Sequence, residues 1–269
     1  MSHPALAFIG GGNMAGAIFG GLLRSGWPAQ RITVVEPWAE QRERIGAAHG
    51  GMQVRAAADA SLAAADLVVW AVKPQIFPEA VAPCAAHVGG ALQLSVMAGI
   101  GSEALARATG SERVVRAMPN TPALIGQGIA GLFARDGAGA ADRALVERVL
   151  APTGQLLWVA RERDLDAVTA LSGSGPAYVF YVLEAMIEAG TQMGLPAAQA
   201  RRLAEQTFAG AAQLAMQADE PVPELRQRVT SKGGTTLAAI EVLEAGQVKA
   251  AFVRALHAAR QRAEELGRA

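Results

Sequence analysis

"FIGGGNMAGAI", residues 8–18, closes a short apolar run and opens a helical one. Gly10, Gly12 and Ala15 fall in a G-x-G-x-x-[GA] spacing. Glycine at the first position permits a tight turn, and at the second it lets the backbone approach a pyrophosphate. A small third residue brings the helix against the sheet. The N–H groups of the new helix have no partner in its first turn, so they face phosphate charge. The strand-like "ALAFI" (5–9) precedes the pattern and an amphipathic stretch follows it, and this context makes it a dinucleotide-binding loop rather than a bare turn.

Outward from that loop, short β-branched runs alternate with helical patterns. "ITVVE" (32–36), "DLVVWAV" (66–72), "LQLSVMAG" (92–99) and "RVVRAM" (113–118) read as further buried strands. "GIAGLFA" (128–134) and "QLLWVA" (155–160) flank a helical pattern at 139–151 and extend the sheet edge. Such alternation predicts crossover units and a doubly wound, parallel sheet. Beyond residue 162 no β-branched run follows. Helices are expected at 164–171, 176–193, 196–218, 222–230, 235–245 and 247–267, punctuated by Pro176, Gly194, Pro196 and Gly246. The fold class is α/β: a Rossmann-type domain over 1–162, then an all-α domain over 163–269.

About half of the 269 residues are apolar and the formal net charge is zero, which suits a large core and gives no footprint for nucleic acid or an anionic membrane. The single cysteine, Cys84, excludes an intramolecular disulfide and suits a reducing compartment. The beginning of the chain does not read as a signal peptide, and the longest apolar helix pattern carries Glu184 and Glu188. A soluble, cytoplasmic protein is expected. Four scattered histidines and one cysteine give no metal-ligand spacing.

The chemistry is narrowed by what is scarce. Reducing a carbonyl calls for a residue that hands over a proton, usually His, Lys or Tyr. The lysines are only Lys73, Lys232 and Lys249, and no histidine–carboxylate pair suggests itself. A protonated imine already carries positive charge at the accepting carbon, so positioning and hydrogen bonding suffice there. At the end of the second strand, Glu36 stands about twenty residues past Ala15, where an acidic group bonds a ribose 2′-OH. That favours NADH, whereas Arg42 and Arg44 nearby suit the 2′-phosphate of NADPH, and the sequence leaves both open.

Two further segments, "AVKPQ" (71–75) and "RAMPNTPALIGQG" (116–128), follow strand ends, where ligands of open sheets bind. "LSGSGPAYVF" (171–180) enters a helix through small polar residues. "VTSKGGTT" (229–236) joins two helices with more glycine than a helix end needs. A glycine pair entering a helix makes an anion-binding nest, reinforced by the helix dipole.

Together with "IGGGNMAGAI", these segments occur in an order and spacing that resembles Δ1-pyrroline-5-carboxylate reductases over nearly the whole chain. The resemblance implies NADPH- or NADH-dependent reduction of a cyclic imine to L-proline. It places Gly10, Gly12, Asn13 and Met14 at the cofactor phosphates and Ala71, Lys73 and Pro74 near the ribose and nicotinamide. Asn120 would lie on the cofactor side of the pocket and Thr121 on the substrate side. Ser231, Gly233, Gly234, Thr235 and Thr236 would hold the substrate. Thr236 is the expected catalytic residue, its hydroxyl bonded to the ring nitrogen, with Thr235 as the neighbouring alternative. The helical domain would form a homodimer that assembles further. Lys232 departs from the proline that many relatives carry. The competing readings are a 3-hydroxyacid dehydrogenase, which needs a lysine absent from the first long helix, and a non-catalytic nicotinamide-binding protein.

Overall fold

Eight short strands, most of them aliphatic, pair into one sheet in the computed structural model, which describes residues 3–267. They are β1 Leu6–Ile9, β2 Ile32–Val35, β3 Gln53–Arg55, β4 Leu67–Trp70, β5 Leu92–Ser95, β6 Val114–Met118, β7 Gly128–Ala134 and β8 Gly154–Trp158. Their order is β3-β2-β1-β4-β5-β6-β7-β8, parallel except where β7 runs against β6. The order reverses at β1, between β2 and β4, which opens a crevice at the carboxyl ends of those strands.

Alternation along each strand divides the core between two faces. Leu6 and Phe8 pack with Ile18, Phe19 and Leu22 of α1 (Asn13–Arg24) and with Val146 and Val149 of α6 (Ala140–Leu150). Ala7 and Ile9 share the other cluster with Phe77 and Val81 of α3 (Phe77–Val81), Val88 of α4 (Ala85–Val88) and Leu105 of α5 (Ser102–Thr109). Burying each such large side chain contributes about 1.5–3 kcal/mol. The buried Trp70 indole donates to Gln93 at 2.8 Å, and the Gln93 amide donates to the carbonyls of Val88 and Ala91.

Three differences from the sequence expectation have physical causes. β3 is an added edge strand of three residues, too short and too exposed to show a period. The run at 92–99 leaves the sheet after Ser95, and the chain turns away with Gly99 at a φ of 76°. The expected helix 164–171 is α7 (Asp164–Val168) followed by a π-helical turn at Thr169–Gly173, where Ser174 N–H reaches Thr169 O and Gly173 lies against Met118.

Compact units divide between Ser174 and Gly175, later than residue 162, and the described residues from Ala259 to Gly267 belong to the first unit. α7 goes with the sheet because Val168 packs on Gly131 of β7, where a Cβ would stand 2.7 Å from it. The second unit contains α8 (Gly175–Gln192), α9 (Ala197–Gln217), α10 (Val222–Arg228), α11 (Thr235–Ala245) and the start of α12 (Val248–Leu266). α8 and α9 meet at Gly190 and Ala200. Phe180, Met193, Leu214 and Val242 stay exposed. Among the described residues, no helix is long and apolar enough to cross a membrane.

Candidate active site

Gly10 has a φ of 94°, and its N–H donates to Val35 O at 2.9 Å. A Cβ there would lie 2.8 Å from Ala71 O, so only glycine lets β1 end against the Ala71 backbone. Gly12 caps α1, and a Cβ on it would meet nothing within 4 Å. That open space, with the unpaired N–H groups of Asn13 and Met14 behind it, fits a pyrophosphate. Ala15 is fully buried on the sheet side.

Glu36 is turned toward this loop rather than out to solvent. Its Oε2 accepts Gly11 N–H at 2.9 Å and its Oε1 accepts Trp38 N–H at 3.0 Å. Gln41 of α2 (Ala39–Ala48) donates to Gly11 O at 2.6 Å. Arg42 spends one nitrogen on the carbonyls of Glu36 and Pro37, and Arg44 pairs with Glu40. A cavity of about 280 Å³ lies against Gly11, Gly12 and Asn13 between α1 and α2.

The remaining first-unit residues gather at the same ends of the strands. Ala71 N–H donates to Ile9 O, Lys73 precedes a 3-10 turn at Pro74–Ile76, and the Lys73 side chain is exposed. Asn120 precedes a second such turn, Thr121–Ile125, and its side-chain oxygen accepts Ile129 N–H at 3.0 Å. Thr121 is exposed at the first position of that turn.

Sequence reasoning missed the group that fixes the loop after β5. Glu162 accepts Ser102 N–H at 2.6 Å, Ser102 Oγ at 2.5 Å and Arg116 Nη1 at 2.9 Å. It caps α5 from sixty residues away. Burial pushes the Glu162 carboxyl up, but the bonds from Ser102 and Arg116 outweigh it and hold it below the ordinary value. Nearby Asp166 is raised by burial, against the pull of Arg116. Arg116, Glu162, Asp166 and Gly101 border a polar cavity of about 410 Å³. Trp38 and Gln41 were also missed; an exposed tryptophan directly after Glu-Pro was the available signal for the first. Cys84 is buried, and burial pushes its thiol up to about 11, which makes it inert as a nucleophile at neutral pH.

In the second unit, Ser231, Gly233, Gly234, Thr235 and Thr236 form the turn into α11. Gly233 has a φ of 73°. Gly234 is the N-cap, and a Cβ on it would stand 2.5 Å from Ser231 Oγ. One glycine therefore supplies a left-handed residue and the other supplies space. No side chain caps this helix, so neither threonine serves as its N-cap. Gly234 N–H is used within the turn, donating to Ser231 O at 3.1 Å. The nest is narrower than the glycine pair suggests: the free donors are the N–H groups of α11's first turn. Among the described residues, the Thr236 hydroxyl has no hydrogen-bond partner.

Residues 162–266 match the family described as pyrroline-5-carboxylate reductase dimerisation, and residues 5–99 match NADP oxidoreductase coenzyme F420-dependent. A pyrroline-5-carboxylate reductase of Pseudomonas aeruginosa is 45% identical over 99% of this chain and 98% of its own. A solved pyrroline-5-carboxylate reductase from Coxiella burnetii superposes with a TM-score of 0.90 at 37% identity, covering 98% of each chain. The Plasmodium falciparum pyrroline carboxylate reductase, solved with NADP bound, gives 0.88 at 27% identity over 99% of each. With identity of this level running from the glycine loop through the Gly233–Thr236 turn, the chain belongs to the pyrroline-5-carboxylate reductase family.

Proposed function

We infer that this protein reduces 1-pyrroline-5-carboxylate to L-proline with NAD(P)H, the last step of proline biosynthesis. The observation that carries the reading is the turn at Ser231–Thr236, where two glycines leave helix N–H groups and a hydroxyl open. A carboxylate suits those N–H groups, which the dipole of α11 makes more attractive to an anion. The protonated ring nitrogen then donates to Thr236 Oγ1, which fixes the imine carbon for attack. A bound reduced nicotinamide supplies the hydride. Hydride arriving at the imine carbon sends the C=N electron pair to nitrogen and the positive charge disappears, so no side chain has to deliver a proton in that step. This suits a chain whose one cysteine is inert and which is poor in lysine and histidine.

The cofactor phosphates sit at Gly10, Gly12, Asn13 and Met14, and Ala71, Lys73, Pro74 and Asn120 border the ribose and nicotinamide. With Oδ1 of Asn120 held by Ile129 N–H, its amide nitrogen is the group left to face a ligand. Thr121 lies on the substrate side. The exposed apolar residues of α8, α9 and α11 are covered in a homodimer, which assembles into a larger ring in the cytoplasm. The test is the fall in nicotinamide absorbance with and without the imine. Activity on 3-hydroxyacids with none on pyrroline-5-carboxylate would overturn the reading, and nucleotide binding without any turnover would make the protein a sensor.

A further inference from the structure

The carboxyl end of β2 is built to read one part of the cofactor. We propose that Glu36 and Trp38 make this a site for adenosine lacking a 2′-phosphate, so that the protein binds NADH in preference to NADPH. The proposal rests on the dinucleotide reading of the Gly10–Ala15 loop.

Glu36 is held on both oxygens, by Gly11 N–H and by Trp38 N–H. It cannot swing away without giving up two bonds to backbone. A bound carboxylate accepts and never donates, so its remaining lone pairs match the hydroxyls of a ribose diol. A phosphate brings acceptors and like charge instead, and Glu36 is only partly exposed, so solvent screens that repulsion incompletely. The nearby cations, Arg42 and Arg44, each already hold an acceptor. Arg42 places Nη1 on the carbonyls of Glu36 and Pro37, at 3.0 and 2.6 Å. Arg44 Nη2 lies 2.6 Å from Glu40 Oε1, in a pair open to solvent on both sides.

Trp38 adds the second half. It is 75% exposed, immediately beyond the ribose carboxylate, at the N-cap of α2. Pro37 fixes the backbone between the two residues, and Gln41 ties α2 to Gly11 O. A flat indole in this place offers an adenine ring a stacking surface, which adds affinity without regard to the 2′ position.

The experiment measures dissociation constants of NADH and NADPH for the full-length protein by calorimetry, together with quenching of tryptophan fluorescence. NADH should bind at least about tenfold more tightly. Glu36→Gln keeps an oxygen for Gly11 N–H but removes the charge, so NADPH affinity should rise and the ratio should approach one. Trp38→Ala should weaken both nucleotides by roughly tenfold, leave their ratio unchanged and abolish most of the quenching. Equal or tighter binding of NADPH by the unaltered protein would overturn the proposal, with no variant needed. An unchanged ratio in Glu36→Gln would do the same. Failure to bind either nucleotide would instead bring down the dinucleotide reading itself.

Discussion

Glu162→Ala removes a carboxylate that joins α5, β6 and α7 behind the loop following β5. Three hydrogen bonds go at once: two from Ser102 and one from Arg116. Losing a helix cap costs about 0.5–2 kcal/mol. The larger cost is the Arg116 guanidinium, whose side chain is only 13% exposed and whose Nε already lacks a partner. Stranding a buried charge costs about 3–5 kcal/mol when burial is complete. Here the side chain of Glu162 is 30% exposed and Asp166 is near enough to take part of the charge, so the combined loss should be about 2–4 kcal/mol. Glu162→Gln keeps an acceptor for Ser102 and should lose roughly half as much. Urea unfolding at one fixed protein concentration measures both, since an oligomer's stability depends on concentration. The sign of the pH dependence follows from the lowered carboxyl. Its contribution is fully present above the ordinary value of 4.5 and is lost as pH falls through the folded-state value. The gap between unaltered protein and variant should therefore close in acid. A Glu162→Ala variant within about 0.5 kcal/mol of the unaltered protein at neutral pH would refute the reasoning, as would a gap that widens in acid.

Three further outcomes are expected. Thr236→Val keeps the shape and removes the hydroxyl, so kcat/KM for the imine should fall by about 1–3 kcal/mol of transition-state stabilisation while nucleotide affinity holds; a matching loss in nucleotide binding would move Thr236 to the cofactor. Gly233→Ala forces a left-handed residue at a φ of 73° to carry a Cβ, at about 1–2 kcal/mol, and should raise KM for the imine without changing nucleotide binding; unchanged KM would show that the turn does not bind substrate. Phe180→Asp with Val242→Asp places charge on two exposed apolar sites and should reduce the mass seen by light scattering; an unchanged mass would put the homodimer interface elsewhere.

The parts of the site that could be read from sequence are those where a residue type answers a backbone demand. Gly10 is needed because φ is 94° and Ala71 O is close, and Gly233 because φ is 73°; each demand acts within a few residues or at a neighbouring strand end, so a short motif carries it. What escaped reading depends on side chains that meet across long stretches of chain. Nothing around Glu162 says that it will cap a helix starting at Ser102, because the partners become neighbours only once β5, β6 and α7 are packed. The π-helical turn at Thr169–Gly173 lies against Met118 for the same kind of reason, and β3 is too short to carry a period. Glu36 lies between these cases. Its spacing from Ala15 announces an acidic group at the ribose, but only the folded chain shows both carboxylate oxygens held by backbone N–H groups and Arg42 and Arg44 each already holding an acceptor. Glu36 and Glu162 thus act alike: each carboxylate accepts at least one backbone N–H from a loop at the carboxyl end of the sheet and ties it to a distant part of the chain. One of those loops carries the glycine motif and the other begins α5, so two acidic residues tie down this end of the sheet and a motif marks only one of them.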